Sequence, residues 1–183
     1  GNGTTITNNV AFANLGTLAL GNDVADALLF NGGLTATAPS SVTLNGILRT
    51  SGDLATLGDA GTPLILAGTA SAIDTTNGGG TAAGANIVVN GTLDGTVANA
   101  QSLSLNAGTT GTIAFALAIG GTATPSTLTV TNSNGATFSD AVTTGTSVVL
   151  SDTENGQGIV FTGALVTPML TTAGQAYNLT LNG

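Results

Sequence analysis

The sequence predicts an all-β fold and, among all-β folds, favours a β-solenoid built as a repeat array. Three observations predict this fold. Short runs of alternating apolar and hydroxyl-bearing residues recur along the whole 183-residue chain. Asn-Gly pairs separate many of these runs. Finally, only 5% of the residues are charged and 3% are aromatic, so the interior must be narrow and built from small aliphatic side chains.

The alternating runs are expected to be strands with one apolar and one hydroxyl-rich face, because successive side chains of a strand point to opposite sides. Leu64–Leu66 and Ile87–Val89 are expected to be more fully buried strands. The longest apolar run, Ile113 to Ile119, is far shorter than the ~20 residues that a membrane helix needs. It is therefore expected to be one buried strand. In chain order the clearest alternating runs are Thr4–Thr7, Ser102–Asn106, Thr127–Thr131 and Asn178–Asn182.

Asn-Gly pairs mark the turns, because Asn and Gly tolerate the positive φ that tight turns demand. An apolar residue often precedes the pair, as in Phe30-Asn31-Gly32 and Leu44-Asn45-Gly46. This arrangement predicts a strand end followed by a corner. The pairs begin at Asn31, Asn45, Asn77, Asn90, Asn134, Asn155 and Asn182.

The spacing of the apolar centres fits two all-β architectures. Short strands at this spacing suit a β-sandwich of antiparallel strands, and equally a solenoid with two or three strands per coil. Few aromatic residues, few charges to protect exposed strand edges, and many Asn and Thr residues able to stack in ladders all favour the solenoid. In the second half of the chain the centres lie 9 to 13 residues apart, at Leu103, Phe115, Leu128, Phe138, Val149, Phe161, Leu170 and Leu179.

The chain is expected to form a single β-repeat module over residues 1–183. The Gly-rich stretch Asn77 to Gly84 is interpreted either as a long loop or as a divide between two sub-arrays. The regular rhythm also suggests one unit of a longer tandem array.

The composition argues against most enzyme chemistry. Arg49 is the single basic side chain, and the chain has no His and no Cys, so the usual nucleophile–base pairs cannot form. Paired carboxylates remain, at Asp152 with Glu154 and at Asp23 with Asp26, and we interpret them as solvated turn acids. A carbohydrate-active β-helix enzyme is the alternative that these pairs leave open. The net charge of −8 argues against nucleic-acid partners, and no membrane insertion is expected.

Calcium is the one metal that the sequence suggests. Asp152, Glu154 and Asn155 place three oxygen-bearing side chains in a short turn, which suits a hard cation. The pairs Asp23 with Asp26 and Asp53 with Asp59 are weaker candidates. No other cofactor and no catalytic residue is expected.

Ranks of Thr supply a further alternative, an ice-binding solenoid. Thr127, Thr129 and Thr131 would line one strand face, as would the shorter ranks that begin at Thr35 and at Thr122. These ranks do not recur at a fixed coil period, and Thr favours strands in any case.

Three phrases resemble the repeat-rich surface proteins of Gram-negative bacteria, namely filamentous-haemagglutinin-type adhesins and autotransporter passenger domains. The phrases are Leu128 to Asn132, Gly135 to Ser139, and Ala176 to Gly183. The resemblance implies a parallel right-handed β-helix, export to the cell surface, and a role in adhesion or fibre formation. The expected partners are copies of the chain or neighbouring modules, and also glycans or surfaces.

The two ends of the chain are expected to be assembly termini. Joined tail to head, they would continue the strand, Asn-Gly, strand rhythm. A solenoid without capping segments exposes strand edges that propagate into fibres. The residues concerned are Gly1, Asn2, Thr4, Ile6, Tyr177, Leu179, Leu181 and Gly183.

Overall fold

The computed structural model describes residues 3–183, and this part of the chain is all-β, without helix. It accordingly holds no helix long and apolar enough to cross a membrane. In chain order the strands are β1 (Gly3–Ile6), β2 (Val10–Ala11), β3 (Thr17–Leu20), β4 (Ala27–Phe30), β5 (Leu34–Ala36), β6 (Ser41–Leu44), β7 (Ile47–Thr50), β8 (Ala55–Leu57), β9 (Leu64–Leu66), β10 (Ala70–Asp74), β11 (Ile87–Val89), β12 (Leu93–Gly95), β13 (Ser102–Asn106), β14 (Ile113–Phe115), β15 (Thr127–Asn132), β16 (Ala136–Phe138), β17 (Val142–Thr143), β18 (Ser147–Leu150), β19 (Gly158–Phe161), β20 (Leu165–Val166), β21 (Leu170–Thr172) and β22 (Asn178–Leu181).

These strands wind into a solenoid of about seven turns with three sides. Sheet A contains β1, β4, β7, β10, β13, β15, β18 and β21, in that order, and sheet B contains β2, β5, β8, β11, β14, β16, β19 and β22. Sheet C contains β3, β6, β9 and β12, then an isolated bridge at Ile119 to Leu93 and Val142, and then β17 with β20. Each coil thus visits A, B and C in turn.

The solenoid prediction is confirmed, and the alternative of a sandwich of antiparallel strands is wrong. Neighbouring strands within each sheet pair in parallel. Partners lie a whole coil apart in sequence, from 20 residues between Leu128 and Val148 to 32 residues between Ser71 and Leu103. The shorter spacing of apolar centres seen in the sequence is the distance between successive sides of one coil, from sheet A to sheet B or from B past C to A.

Alternation along each strand fills the interior. In sheet A, Leu48, Ile73, Leu105, Val130 and Leu150 face inward and follow one another from coil to coil, and all are essentially sealed from solvent. Such columns bury aliphatic surface, at roughly 25 cal/mol per Å² of apolar area. Between the columns, the parallel ladders pair the backbone N–H and C=O groups.

The predicted strands Leu64–Leu66, Ile87–Val89 and Ser102–Asn106 are confirmed with the same bounds. The prediction of one strand over Ile113 to Ile119 is wrong. Strand β14 ends at Phe115, the chain turns a corner, and Ile119 lies in sheet C. The reason is geometric: most sheet B strands are only three residues long, so a longer apolar run must bend to keep its side chains inside.

The Gly-rich stretch 77–84 connects β10 to β11 through a series of turns. It is fixed to the following coil by hydrogen bonds from Thr109 N to Ala82 O (3.1 Å) and from Thr110 N to Ala83 O (2.9 Å). On either side of the stretch, β10 pairs with β7 and β13, and β11 pairs with β8 and β14. Sheets A and B therefore run past it without interruption.

Candidate functional site: end faces and polar column

The first end face of the solenoid is formed by β1, β2 and β3. Within the described residues each of these strands pairs on one side only, with β4, β5 and β6 respectively. A cavity of about 420 Å³ opens there. Its apolar lining is Ile6, Phe12, Leu18, Leu20, Leu28 and Phe30. Of the predicted assembly residues, Thr4 and Ile6 lie on this face, while Gly1 and Asn2 lie outside the described residues.

The second end face is formed by β20, β21 and β22, which also pair on one side only within the described residues. Leu165, Leu170, Tyr177 and Leu179 are partly buried against the core. Leu181 is 52% exposed although it follows Phe161 in its column. Of the predicted assembly residues, Tyr177, Leu179 and Leu181 lie on this face, and Gly183 lies against Ala164.

The ends differ in the sheet that they occupy. The last strand, β22, belongs to sheet B, and the first, β1, belongs to sheet A. A direct tail-to-head join would therefore pass from sheet B to sheet A and omit the sheet C side. In the described residues sheets A and B each have eight strands, one for each coil that they cross, whereas sheet C has seven such places, one of them the Ile119 bridge. Its positions are β3, β6, β9, β12, Ile119, β17 and β20.

The predicted calcium residues Asp152, Glu154 and Asn155 lie in the corner between β18 and β19. Thr153, between the two acids, is buried, and its hydroxyl pairs with that of Ser133 at 3.1 Å. Because Thr153 points inward, Asp152 and Glu154 stay partly exposed on either side of it. In residues 3–183, no three His, Cys, Asp or Glu side chains group so that they could hold a metal ion. A site in this corner would thus need neutral oxygen ligands.

Other acids stabilise corners. Asp26 accepts hydrogen bonds from the backbone N–H groups of Asn22 (2.9 Å) and Asp23 (3.2 Å). Asp23 accepts one from Ala25 N, and Asp59 one from Gly61 N. Asp23 and Asp59 thus form Asx turns, in which the carboxylate accepts from the backbone N–H two residues further on, whereas Asp26 caps N–H groups that precede it in the chain. Asp53 lies near Thr50, whose hydroxyl accepts its N–H at 3.2 Å.

Arg49 lies in β7 and forms an ion pair with Asp74 of the next coil, with 3.6 Å between Arg49 Nε and Asp74 Oδ2. Asp74 also accepts hydrogen bonds from Thr76 N, Thr76 Oγ1 and Gly78 N. The pair fixes the start of the 77–84 stretch. The guanidinium is thus engaged within the fold.

A polar column at the end of sheet A was missed by sequence reasoning. Asp74, Asn106 and Asn132 are in register on three successive coils. Asp152 follows them on the next coil, two residues beyond the pair Val130 and Leu150. The coil lengths, together with a register shift between Leu105 and Asn106, bring these residues together, so no local sequence signal could have identified the column. Beside it lies a cavity of about 320 Å³, lined partly by Asn106, Asn132 and Asp152.

The Thr ranks occupy different surroundings. Thr127, Thr129 and Thr131 lie on β15, where register pairs Thr129 with Ser104 and with Val149. The hydroxyl rank through Thr129 therefore ends after two coils, whereas the rank through Thr127 runs over three, from Ser102 to Ser147. Thr35 faces outward on β5 beside Thr56 of β8. Thr122 and Thr124 lie in a corner rather than in a strand.

In place of the expected Asn and Thr ladders, single hydroxyl pairs join adjacent coils. Adjacent coils pair Thr127 with Ser147 at 3.2 Å, and Ser126 with Thr146 at 2.9 Å. Another joins Thr144 Oγ1 to Thr167 Oγ1 at 2.8 Å. These bonds fix side chains outside the aliphatic interior.

Comparison of the chain with protein-family models, with curated proteins and with solved structures finds no match. The resemblance to filamentous-haemagglutinin-type and autotransporter proteins therefore stays a prediction, and the functional argument depends on the geometry above.

Proposed function

We propose that this chain is a non-enzymatic structural protein of the cell exterior, which forms part of a surface fibre by stacking of β-coils. The observation that carries the proposal is the pair of end faces. At each face the three sheets present strand edges that, within residues 3–183, pair on one side only, together with half-buried core side chains. Neighbouring coils of the same chain, or a second copy, would pair with these strand edges and cover the half-buried side chains.

Backbone geometry supports stacking. A strand edge exposes N–H and C=O groups that readily accept another strand, and native proteins usually blunt such edges with charges, Pro or bulges. The edge strands β1, β2, β3, β20, β21 and β22 contain no charged residue and no Pro. Parallel strands ascending the same three sides favour a head-to-tail contact, which is the arrangement that generates fibres.

The side-chain columns support it further. In sheet B, one inward column begins at Val10 and ends at Leu179. In sheet A, another begins at Thr4 and ends at Thr172. When two copies stack with sheet A on sheet A and sheet B on sheet B, the aliphatic Leu179 of one copy meets Val10 of the next. The hydroxyl-bearing Thr172 likewise meets Thr4. Such a stack leaves one sheet C position open at the junction between copies.

The sides of the solenoid suit adhesion to neutral, hydroxylated surfaces. Outward positions such as Ser104, Thr129, Thr137 and Thr180 carry hydroxyls, and the single Arg is paired with Asp74. With a net charge of −8, contacts with glycans or with copies of the chain are favoured over contacts with phosphate-rich partners. The cell-surface location is proposed from this composition and from the family resemblance.

The test is a charge placed on the second end face. Leu181→Lys should abolish concentration-dependent association and fibres, because an unpaired charge cannot be buried between coils. Leu54→Lys is the matched control: Leu54 is 46% exposed against 52% for Leu181, but it lies at a corner between β7 and β8. Association is measured by light scattering with size-exclusion chromatography, and fibres by electron microscopy.

Three results decide the matter. Association of the unaltered chain that is lost in Leu181→Lys and kept in Leu54→Lys supports stacking through the end face. A chain that stays monomeric at millimolar concentration contradicts it. Equal loss in both variants would show that association occurs through the sides.

A further inference from the structure

Asn-Gly is a chemically reactive pair, and the fold places its seven copies in different surroundings. The backbone nitrogen of the glycine can attack the side-chain amide of the asparagine, and the glycine has no side chain to hinder the attack. Two properties favour the reaction: a glycine N–H that is not held in a hydrogen bond, and an asparagine that is exposed to water. The structure therefore distinguishes pairs that are equivalent in the sequence.

Asn31-Gly32 has both properties, at the corner between β4 and β5. Asn31 is exposed, and its side-chain amide makes no hydrogen bond within the described part of the chain. Gly32 N donates to no acceptor there either. On one side of it, Asn31 N donates to Ile6 O at 2.7 Å, and on the other, Gly33 N donates to Phe30 O at 3.0 Å. The corner is thus fixed on both sides of a nitrogen that lacks a partner in the described residues.

Asn155-Gly156, at the corner between β18 and β19, is the matched pair. Asn155 is also exposed, and the two residues again occupy the centre of a turn, closed by Gln157 N donating to Glu154 O at 3.0 Å. Gly156 N, however, donates to Ala176 O of the next coil at 2.8 Å. Attack by this nitrogen would require breaking that hydrogen bond, so the pair is protected.

Most of the remaining pairs are protected as well. Gly78 N donates to Asp74 Oδ2 at 2.7 Å. Gly46 and Gly91 are buried, and Asn134 is only partly exposed. Exposure and an unpaired glycine N–H therefore coincide at few of the seven pairs.

We propose that Asn31 is a site of spontaneous deamidation, with water as the only co-reactant. Gly32 N forms a bond to Asn31 Cγ while the bond from Cγ to Nδ2 breaks, and ammonia leaves with the proton of the glycine N–H. Water then opens the succinimide ring at either carbonyl carbon, which gives aspartate or, when Gly32 N stays bonded to Cγ, isoaspartate. Asn182 is also exposed and precedes Gly183, whose N–H has no partner in the described residues, so it is expected to react in the same way.

The neighbouring coil gives the reaction room and also receives its effect. Gly32 lies against the backbone of Asn8 and Asn9 in the first coil. That coil pairs on one side only within residues 3–183, so it opens more readily than an interior coil. Isoaspartate adds one methylene to the backbone of the turn, and either product adds a negative charge. Deamidation of this corner does not depend on fibre formation.

The experiment incubates the chain in oxygen-labelled water at mildly alkaline pH and follows the label in peptic fragments by mass spectrometry. Opening of each succinimide incorporates one heavy oxygen, so the label reports the reaction at each asparagine separately. In the folded chain, Asn31 should gain label about ten-fold faster than Asn155, the factor expected when one hydrogen bond must be broken. In urea, where Gly156 N has lost its partner, the two rates should become similar.

Asn31→Gln removes the site, because attack on the longer side chain would have to form a larger ring, which closes more slowly. This variant should lose the label at residue 31 and keep the slow labelling of Asn155. Equal labelling of Asn31 and Asn155 in the folded chain would overturn the proposal. A ten-fold difference that persists in urea would overturn it too, since neighbouring residues in the sequence, and not the hydrogen bond of Gly156, would then set the rates.

Discussion

Phe138 is sealed from solvent between two rings of its own column. Its centroid lies 5.5 Å from that of Phe115 and 4.7 Å from that of Phe161, with the planes tilted by 23° and 10°. Register sets this stack, because the three residues occupy the same position on β14, β16 and β19. The ring therefore contributes both its own burial and contact with the coils above and below.

Phe138→Ala should lower the urea midpoint by an amount equivalent to about 3–5 kcal/mol, since it opens a cavity between two stacked rings. Phe138→Leu should cost less, because much of the volume is kept. Thr137→Ala, one residue earlier on the exposed side of β16, is the control and should change stability by about 0.5 kcal/mol at most. If Phe138→Ala proved no worse than Thr137→Ala, the column would not be contributing to stability.

The corners between strands are the elements that set the coil. Gly46, between β6 and β7, has φ of 96°, and a Cβ built on it would lie 2.5 Å from Asp26 O of the preceding coil. Gly79, in the 77–84 stretch, has a similar φ of 91° but nothing within 4 Å. The two positions therefore share a backbone conformation that would strain any residue with a side chain, and they differ in packing between coils.

Gly79→Ala should destabilise the protein by about 1 kcal/mol, the cost of a positive φ for a residue with a side chain. Gly46→Ala should cost about 2 kcal/mol more, because the Asp26 carbonyl must also move. The difference between the two unfolding midpoints measures coil-to-coil packing at the corner. Equal losses of stability in the two variants would mean that the Asp26 carbonyl of the neighbouring coil moves aside without cost.

The predictable elements were those whose information is local. Alternation predicted Ser102–Asn106, and Asn-Gly predicted the corner at Gly46, because both follow from neighbouring residues. Sheet C was hard to predict from the sequence, because in one coil it consists of an isolated bridge residue, Ile119, and not of a strand. The pairing of Asn132 with Asn106 depends on coil length, which varies, and on the register shift that follows Leu105. For that reason sequence reasoning missed the polar column, whereas the role of the two end faces in assembly stays a prediction.

The whole molecule is held by contacts between residues that are distant in sequence, yet each coil touches mainly its immediate neighbours. Stability in such an array is close to a sum of coil and interface contributions. An interior coil gains two interfaces, whereas the coils at the two end faces gain one within the described residues. Covering an end face therefore stabilises the terminal coil against unfolding more than it stabilises any interior coil.

Trypsin tests the packing of the complete array, because Arg49 is the single Lys or Arg of the chain. Strand β7 is paired on both sides, with β4 and β10, and the Arg49 side chain is 32% exposed and ion-paired. A protease needs a locally unfolded segment, so cleavage at Arg49 requires opening of an interior coil. The folded chain should survive prolonged digestion, and the urea-unfolded chain should be cut into two fragments. Rapid cleavage at Arg49 in the folded chain would contradict a continuously packed array.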